Sequence, residues 1–140
     1  MTPQPKTTPK VDRDYSHRTL FEKLGVRADA HVAVSGVPQD FLLELNARLA
    51  SAASQRLRTS YDLIFVQIDN PRDLERIYRA AGHLRPTGAL WVFHPKGRGA
   101  SPHDSEVREA GLSAGLVDNK ISALNDTHTA TRFVVPVAKR

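Results

Sequence analysis

Cysteine is absent from this 140-residue chain, which excludes disulfide bonds and thiolate metal sites. Long apolar runs are also missing, since no stretch approaches the roughly 20 apolar residues that span a bilayer. The amino-terminal residues contain no apolar signal-peptide core. We therefore expect a soluble protein of the reducing cytoplasm that makes no use of a membrane.

Glycine is scarce where an α/β protein that binds a nucleotide cofactor needs it. The first strong strand, residues 30–36, ends at Ser35 and Gly36 and runs directly into Val37, Pro38 and Gln39. Cofactor phosphates or a methionine tail approach such a turn closely only when several glycines remove the side chains. Pro38 also lacks a backbone N–H, so the turn has few donors for an anion.

Positive charge is in moderate excess, and the formal net charge is +5. Residues 1–14 contribute only one of these charges, from three basic and two acidic side chains. The excess would steer the protein toward phosphate backbones or acidic partners without defining a site. Because no nucleic-acid-binding motif is present, we rank nucleic acid as an unlikely partner.

Patterning divides the chain into a tail and one domain. Residues 1–14 contain three prolines and few large apolar side chains, which predicts a disordered amino-terminal tail. Residues 15–140 are expected to form a single α/β domain. Its first helix should cover residues 16–24 and end at Gly25, and a second should run from Pro38 to about Ser54.

Strands and helices alternate along the rest of the chain. Residues 61–69 and 89–94 are apolar strands, separated by a helix that begins at Asn70-Pro71 and is broken by residues 85–88. Residues 101–104 repeat the start signal of a helix, which should reach about Ala114. Two last strands, residues 116–124 and 132–137, should be antiparallel, because their connector is too short for a crossover helix. This order predicts a three-layer sandwich with a mainly parallel sheet of about five strands.

One segment resembles a known enzyme family. The run Leu84-Arg85-Pro86-Thr87-Gly88, followed by the apolar residues 89–93, resembles the entry to the fifth strand of class I S-adenosylmethionine methyltransferases. The closing pair of strands is similar as well. The chain departs from those enzymes after Gly36, where further glycines are missing. It also has no clear second strand that ends in the acidic residue holding the cofactor ribose in that family. Between Ser54 and Tyr61 there is room for only a few extended residues, so the family's second and third strands should be missing or vestigial.

The chain is more closely similar to a family of small bacterial domains of unknown function that resemble truncated methyltransferases. This resemblance implies a Rossmann-like fold with reduced methyltransferase-like topology, and no established activity comes with it. The matching segments are Tyr15-Ser16 with Leu20, Lys23-Leu24-Gly25-Val26, residues 88–92 with Pro95-Lys96, residues 115–118 with Lys120, and Arg132-Phe133-Val134.

Ligands of open α/β sheets settle beyond the carboxyl ends of parallel strands. That rule selects the following candidate binding residues: Ser35, Gly36, Asp69, Asn70, His94 and Lys96. Asp69 would accept hydrogen bonds from a ligand and His94 would transfer a proton, although helix capping also explains Asp69 and Asn70. His94 could equally be a polar strand end.

The loop of Lys96, Gly97 and Arg98 is a second candidate. Its cations and glycines precede a helix start and suit an anion, while a solvated connector is the alternative. We predict no metal site, because His94, His103 and His128 are scattered and are explained as surface residues.

Three functions remain open at this stage. The leading hypothesis is a non-catalytic or cryptic methyltransferase-like domain that binds a protein partner or a small anionic ligand, with no cofactor. The alternative is an S-adenosylmethionine-dependent methyltransferase with an atypical pocket formed by Ser35, Asp69 and His94. The last is a weak nucleic-acid binder that uses its basic surface.

Overall fold

A computed structural model describes residues 20–140 of the chain. A five-stranded sheet forms its centre, in the spatial order β1-β2-β3-β5-β4. Only β5 runs against the other four strands, so the expected mainly parallel sheet with an antiparallel strand near the carboxyl terminus is confirmed. The strands are β1 Val32–Ser35, β2 Tyr61–Gln67, β3 Leu84–Pro95, β4 Val117–Ala123 and β5 His128–Val134.

Helices cover both faces of this sheet, as expected for a three-layer sandwich. They are α1 Gln39–Asn46, α2 Glu75–Ala81 and α3 Asp104–Ser113, with 3-10 turns at Pro71–Leu74 and Val137–Lys139. Residues 20–23 end a further helix, and Gly25 follows with a φ of 72°, as its predicted place after the helix requires. The expected tail of residues 1–14 lies outside the described residues. None of the helices in residues 20–140 is long and apolar enough to cross a membrane.

Side chains alternate between two cores along the central strands. On β3, Trp91 and Phe93 pack with residues 20–24 and α1, while Leu90 and Val92 pack with α2 and α3. All four are almost fully buried. The nearly unbroken apolar runs of β2 and β3 are explained by this cover on both faces. The sheet therefore has a helical layer on each side and is open at the ends of its strands.

The second predicted helix is shorter than expected. Helix α1 ends at Asn46 instead of Ser54, because the Asn46 side chain turns back to accept a hydrogen bond from the Ala53 N–H at 2.8 Å. Ser54 then lies beside β1, donating to the Val32 carbonyl and accepting from the Val34 N–H, both at 2.8 Å. This single bridge is the contact on the outer side of β1, opposite β2.

Three other boundaries differ from the sequence prediction. Strand β3 begins at Leu84, so residues 85–88 are part of the strand and do not only break the preceding helix. Helix α3 is capped by His103, whose side chain accepts from the Ser105 N–H, instead of by Ser101. Strand β5 begins at His128, four residues earlier than expected, because the Asn125 side chain closes a tight turn by accepting from the Thr127 and His128 N–H groups.

Candidate functional site

The carboxyl ends of β1, β2 and β3 meet at one edge of the sheet, and the antiparallel β5 begins there. His128 at the start of β5 lies opposite Pro95 at the end of β3. The predicted residues Ser35, Asp69 and Lys96 lie at or just beyond these strand ends. The predicted residues do not all line one pocket. Other residues lie at this site as well, among them His128, which was expected to be a surface residue.

A polar cluster connects β2 to β5 at this edge. The Asp69 Oδ1 atom lies 2.6 Å from His128 Nε2, and both Asp69 carboxylate oxygens accept from the Gln67 side-chain amide at 3.2 Å. The other ring nitrogen of His128, Nδ1, lies 2.8 Å from the Thr127 hydroxyl. With Nε2–H donating to Asp69, Nδ1 is free of a proton and can accept one. His128 is 18% exposed, so the cluster remains accessible from solvent.

The cluster lies at a cavity of about 410 Å³ on the α1 side of the sheet. Apolar side chains form about half of its lining, including Phe41, whose ring centroid lies 5.1 Å from that of Phe93. Its charged lining residues among the described part of the chain are the carboxylates Asp40 and Glu44. Neutral polar groups and His128 complete the lining: Gln67, Asn125, Thr127 and His128. Asp40 therefore places a negative charge at the cavity.

Gly36 at the end of β1 faces an arginine instead of open space. Its φ is 74°, and a Cβ added to it would lie only 2.2 Å from Arg76 Nη1. Arg76 is held there by donating to the Gln67 carbonyl at 2.6 Å and by Asp73 at 3.5 Å. The bare backbone of this turn is thus in contact with the protein's own side chain, which no local pattern around Arg76 indicated.

His94 is a buried residue and does not rim the cavity as we expected. It is 1% exposed on the α2 and α3 side of the sheet, where Nε2 lies 2.8 Å from the Thr131 hydroxyl. Burial lowers its pKa from the ordinary value, although the Pro95 backbone and the Asp104 carboxylate act in the opposite direction. Its Nδ1 has no hydrogen-bond partner among the described residues. The ring therefore lies on the opposite face of the sheet from the cavity.

Helix capping, the alternative explanation for Asn70, is not what its side chain does. It precedes the 3-10 turn at Pro71, but its side chain makes no capping hydrogen bond, and its buried Oδ1 has no partner in residues 20–140. Asp73 accepts from the Asp69 N–H at 3.0 Å instead. Capping therefore does not account for either the Asp69 or the Asn70 side chain.

The loop of Lys96, Gly97 and Arg98 is exposed and lies outside the cavity. Gly97 has a φ of 104°, and the Lys96 N–H donates to the Thr127 carbonyl at 3.1 Å. The side chains of His103 and Glu106 already form a capping box at the start of α3. The loop and helix start therefore do not make the open anion cradle that the sequence pattern indicated.

Comparison with known proteins supports the fold. No protein-family model and no curated protein matches the chain. Among solved structures, it is similar to magnesium protoporphyrin IX methyltransferase from Synechocystis with bound S-adenosylhomocysteine (TM-score 0.61, 13% identity, 87% of this chain and 81% of that one). It is also similar to a SAM-dependent methyltransferase from Aquifex aeolicus (0.58, 12%, 85% and 89%).

A third similar structure is the methyltransferase CcbJ from Streptomyces caelestis, with a TM-score of 0.57 and 8% identity over 85% of this chain and 88% of that one. At these identities the likeness establishes the fold alone. The chain therefore has the Rossmann-like fold of class I methyltransferases, in a reduced form with five strands.

Proposed function

We propose that this protein binds S-adenosylmethionine in the strand-end cavity and acts as a methyltransferase with an atypical pocket. The observation that carries the proposal is the cavity itself, which lies at the carboxyl edge of a methyltransferase-like sheet and has carboxylates as its charged lining. Ligands of open α/β sheets bind at this edge.

The residues present fit the cofactor in charge and in size. S-adenosylmethionine carries a sulfonium, an ammonium and a carboxylate group, and Asp40 offers a negative charge to its cations in the same cavity as Phe41 and Phe93. Cations are attracted to aromatic rings as well as to carboxylates. A volume of about 410 Å³ lies in the usual range for small-molecule sites. When bound, the cofactor supplies a methyl group that a nucleophile can accept.

His128 would serve the reacting partner. Its Nδ1 atom can take a proton from a hydroxyl or amine at the cavity mouth, and the Asp69 carboxylate stabilises the imidazolium that results. Gln67 is 7% exposed and holds Asp69 in place by donating to both of its oxygens. A ligand here would contact Pro38 and Asp40, beyond the turn at Gly36.

A second candidate is a non-catalytic methyltransferase-like domain that binds a partner or a small ligand. The contact between Arg76 and Gly36 favours it, because the bare backbone that would approach a cofactor is already covered. The reduction of the second strand to a bridge at Ser54 favours it too, since no strand there can end in a ribose-binding acid.

Calorimetric titration with S-adenosylmethionine separates the two candidates. We expect micromolar binding that weakens about tenfold in Asp40→Asn, the loss of roughly one charge interaction. Glu109→Gln removes an exposed carboxylate from α3 on the opposite face and should leave the affinity unchanged. S-adenosylhomocysteine, which lacks the sulfonium charge, should bind more weakly than the cofactor. Absence of heat at two temperatures, with no rise in Tm, would favour the non-catalytic candidate.

A further inference from the structure

A second cavity, of about 360 Å³, lies on the same face of the sheet but away from the strand ends. Three basic side chains line it: Lys23, Lys120 and Arg132. Arg132 lies four residues along β5 from His128, toward the other end of that strand. Neither the cavity nor its cations belong to the proposed S-adenosylmethionine site.

Two of the cations are placed directly opposite each other. Lys120 on β4 pairs with Arg132 on β5 across the antiparallel ladder, so both side chains project from the same face. Like charges in this position repel and destabilise a pair of strands. An irregularity between Asp118 and Lys120 leaves Asn119 at the cavity, where its side-chain carbonyl accepts from Arg132 Nη1 at 3.2 Å. This neutral amide does not cancel either charge.

Lys23 adds a third positive charge at the end of the helix formed by residues 20–23. The backbone carbonyls around it are already used, because those of Phe21 and Glu22 accept from Val26 and Gly25. The Leu24 carbonyl accepts from Trp91 Nε1 at 2.9 Å. Lys23 is exposed and forms no ion pair within residues 20–140, so its ammonium group can reach a ligand in this cavity.

The nearby carboxylates are engaged elsewhere. Asp62 accepts from the His31 N–H at 2.8 Å and from Arg85 at 2.9 Å, contacts that hold its pKa below the usual value. Asp29 pairs with Arg27, and Asp118 pairs with Arg108. Within residues 20–140, no carboxylate forms an ion pair with Lys23, Lys120 or Arg132. Arg132 also lines a neighbouring cavity with Asp29 and Asp62, and these two carboxylates are paired with Arg27 and Arg85.

We propose that this cavity, lined by Lys23, Lys120 and Arg132, binds a small organic phosphate. A phosphate group carries nearly two negative charges near neutral pH, which matches three converging cations better than a single carboxylate does. The cavity is lined by Leu24 and Leu63 as well, and its volume exceeds the need of a bare anion. The organic part of the ligand would occupy the rest of this volume.

Phenyl phosphate and inorganic phosphate are suitable probes for a backbone-amide NMR titration at low ionic strength. We expect saturable shifts at Gly25 and Asn119, tighter binding of phenyl phosphate, and at least tenfold weaker binding in the Lys120→Gln/Arg132→Gln variant. The matched control, Lys96→Gln/Arg98→Gln, removes the same charge from an exposed loop and should change the affinity less than twofold. If the double variant fails to fold, Lys120→Glu replaces it. This substitution reverses one charge of the cavity at an exposed position and should also weaken phosphate binding.

Several results would overturn the proposal. One is equal weakening by the two double variants, which indicates attraction by net charge alone. Another is the absence of saturable shifts at Gly25 and Asn119. Preferential binding of a short DNA duplex, with a steep salt dependence and equal sensitivity to Lys96, would identify a nucleic-acid surface instead. These results are independent of the calorimetry with S-adenosylmethionine, because the two cavities share no lining residue. A failure of one proposal therefore leaves the other standing.

Discussion

Replacing Gly111 by alanine should destabilise the protein, although helix propensity alone predicts the opposite. Gly111 lies inside α3, where alanine is favoured over glycine by about 1 kcal/mol. However, a Cβ at this position would lie 2.1 Å from Phe133 Cε1 and 2.5 Å from Cδ1. Phe133 is fully buried between the sheet and α3, so its ring has no open space into which to move.

The two effects differ enough in size to fix the sign. The Phe133 ring would have to retreat by more than about 1 Å to reach ordinary van der Waals distance from the new methyl group. Such overpacking costs typically 1 to 3 kcal/mol and sometimes more. Because the contact is so close and the ring is enclosed, we expect a cost in the upper part of this range, about 2 to 3 kcal/mol. Subtracting the gain in helix propensity of about 1 kcal/mol leaves a loss of about 1 to 2 kcal/mol in the free energy of unfolding.

Urea unfolding followed by circular dichroism measures this change. Gly82→Ala is the matched control, because Gly82 ends α2 with a helical φ of −72° and its new Cβ would meet only the Arg79 carbonyl at 3.7 Å. We expect that variant to match the native protein or exceed it by up to about 1 kcal/mol. In a Phe133→Leu background, Gly111→Ala should lose most of its cost. A Gly111→Ala protein as stable as the native one would refute the reasoning.

Two further predictions concern buried groups. Burial holds the pKa of His94 below its ordinary value of 6.5. As the pH falls below that value, the unfolded chain binds the proton more readily than the folded protein does. The free energy of unfolding should therefore decline by at most about 1.4 kcal/mol per pH unit. Urea titrations between about pH 7.5 and 5.5 should show a shallower decline for His94→Gln, and equal slopes would contradict the assignment. Trp91→Phe removes the donor to the Leu24 carbonyl, so we expect a loss of about 2 kcal/mol in the same assay, whereas a loss below about 0.5 kcal/mol would show that this hydrogen bond contributes little.

Much of the fold followed from local signals in the sequence. The apolar runs placed the central parts of β2 and β3, and the Asn70-Pro71 signal placed the helical segment that opens with the 3-10 turn Pro71–Leu74 and continues as α2, because each signal depends on neighbouring residues. The ends of α1 and the start of β5 were misplaced, since side chains of Asn46 and Asn125 decide them by bonding to backbone groups several residues away. Such hydrogen bonds leave no periodic pattern.

The candidate site was less predictable than the fold. Asp69 was selected because it follows a parallel strand, but its partner His128 lies 59 residues away, and only the register of β5 brings the two together. His94 was selected by the same rule and is buried, because alternation along β3 turns it to the α2 and α3 side. Arg76 could not have been foreseen, since its role depends on the packing of α2 against the turn at Gly36.

The bridge at Ser54 has a consequence for self-association. Strand β1 is an outer strand of the sheet, and an outer strand with free backbone groups is a template on which another molecule can add a strand. Ser54 occupies the outward carbonyl of Val32 and the outward N–H of Val34. Because β1 has only four residues, this one contact blocks most of the template. The β1 side of the sheet is thus poorly suited to the addition of a strand from another molecule.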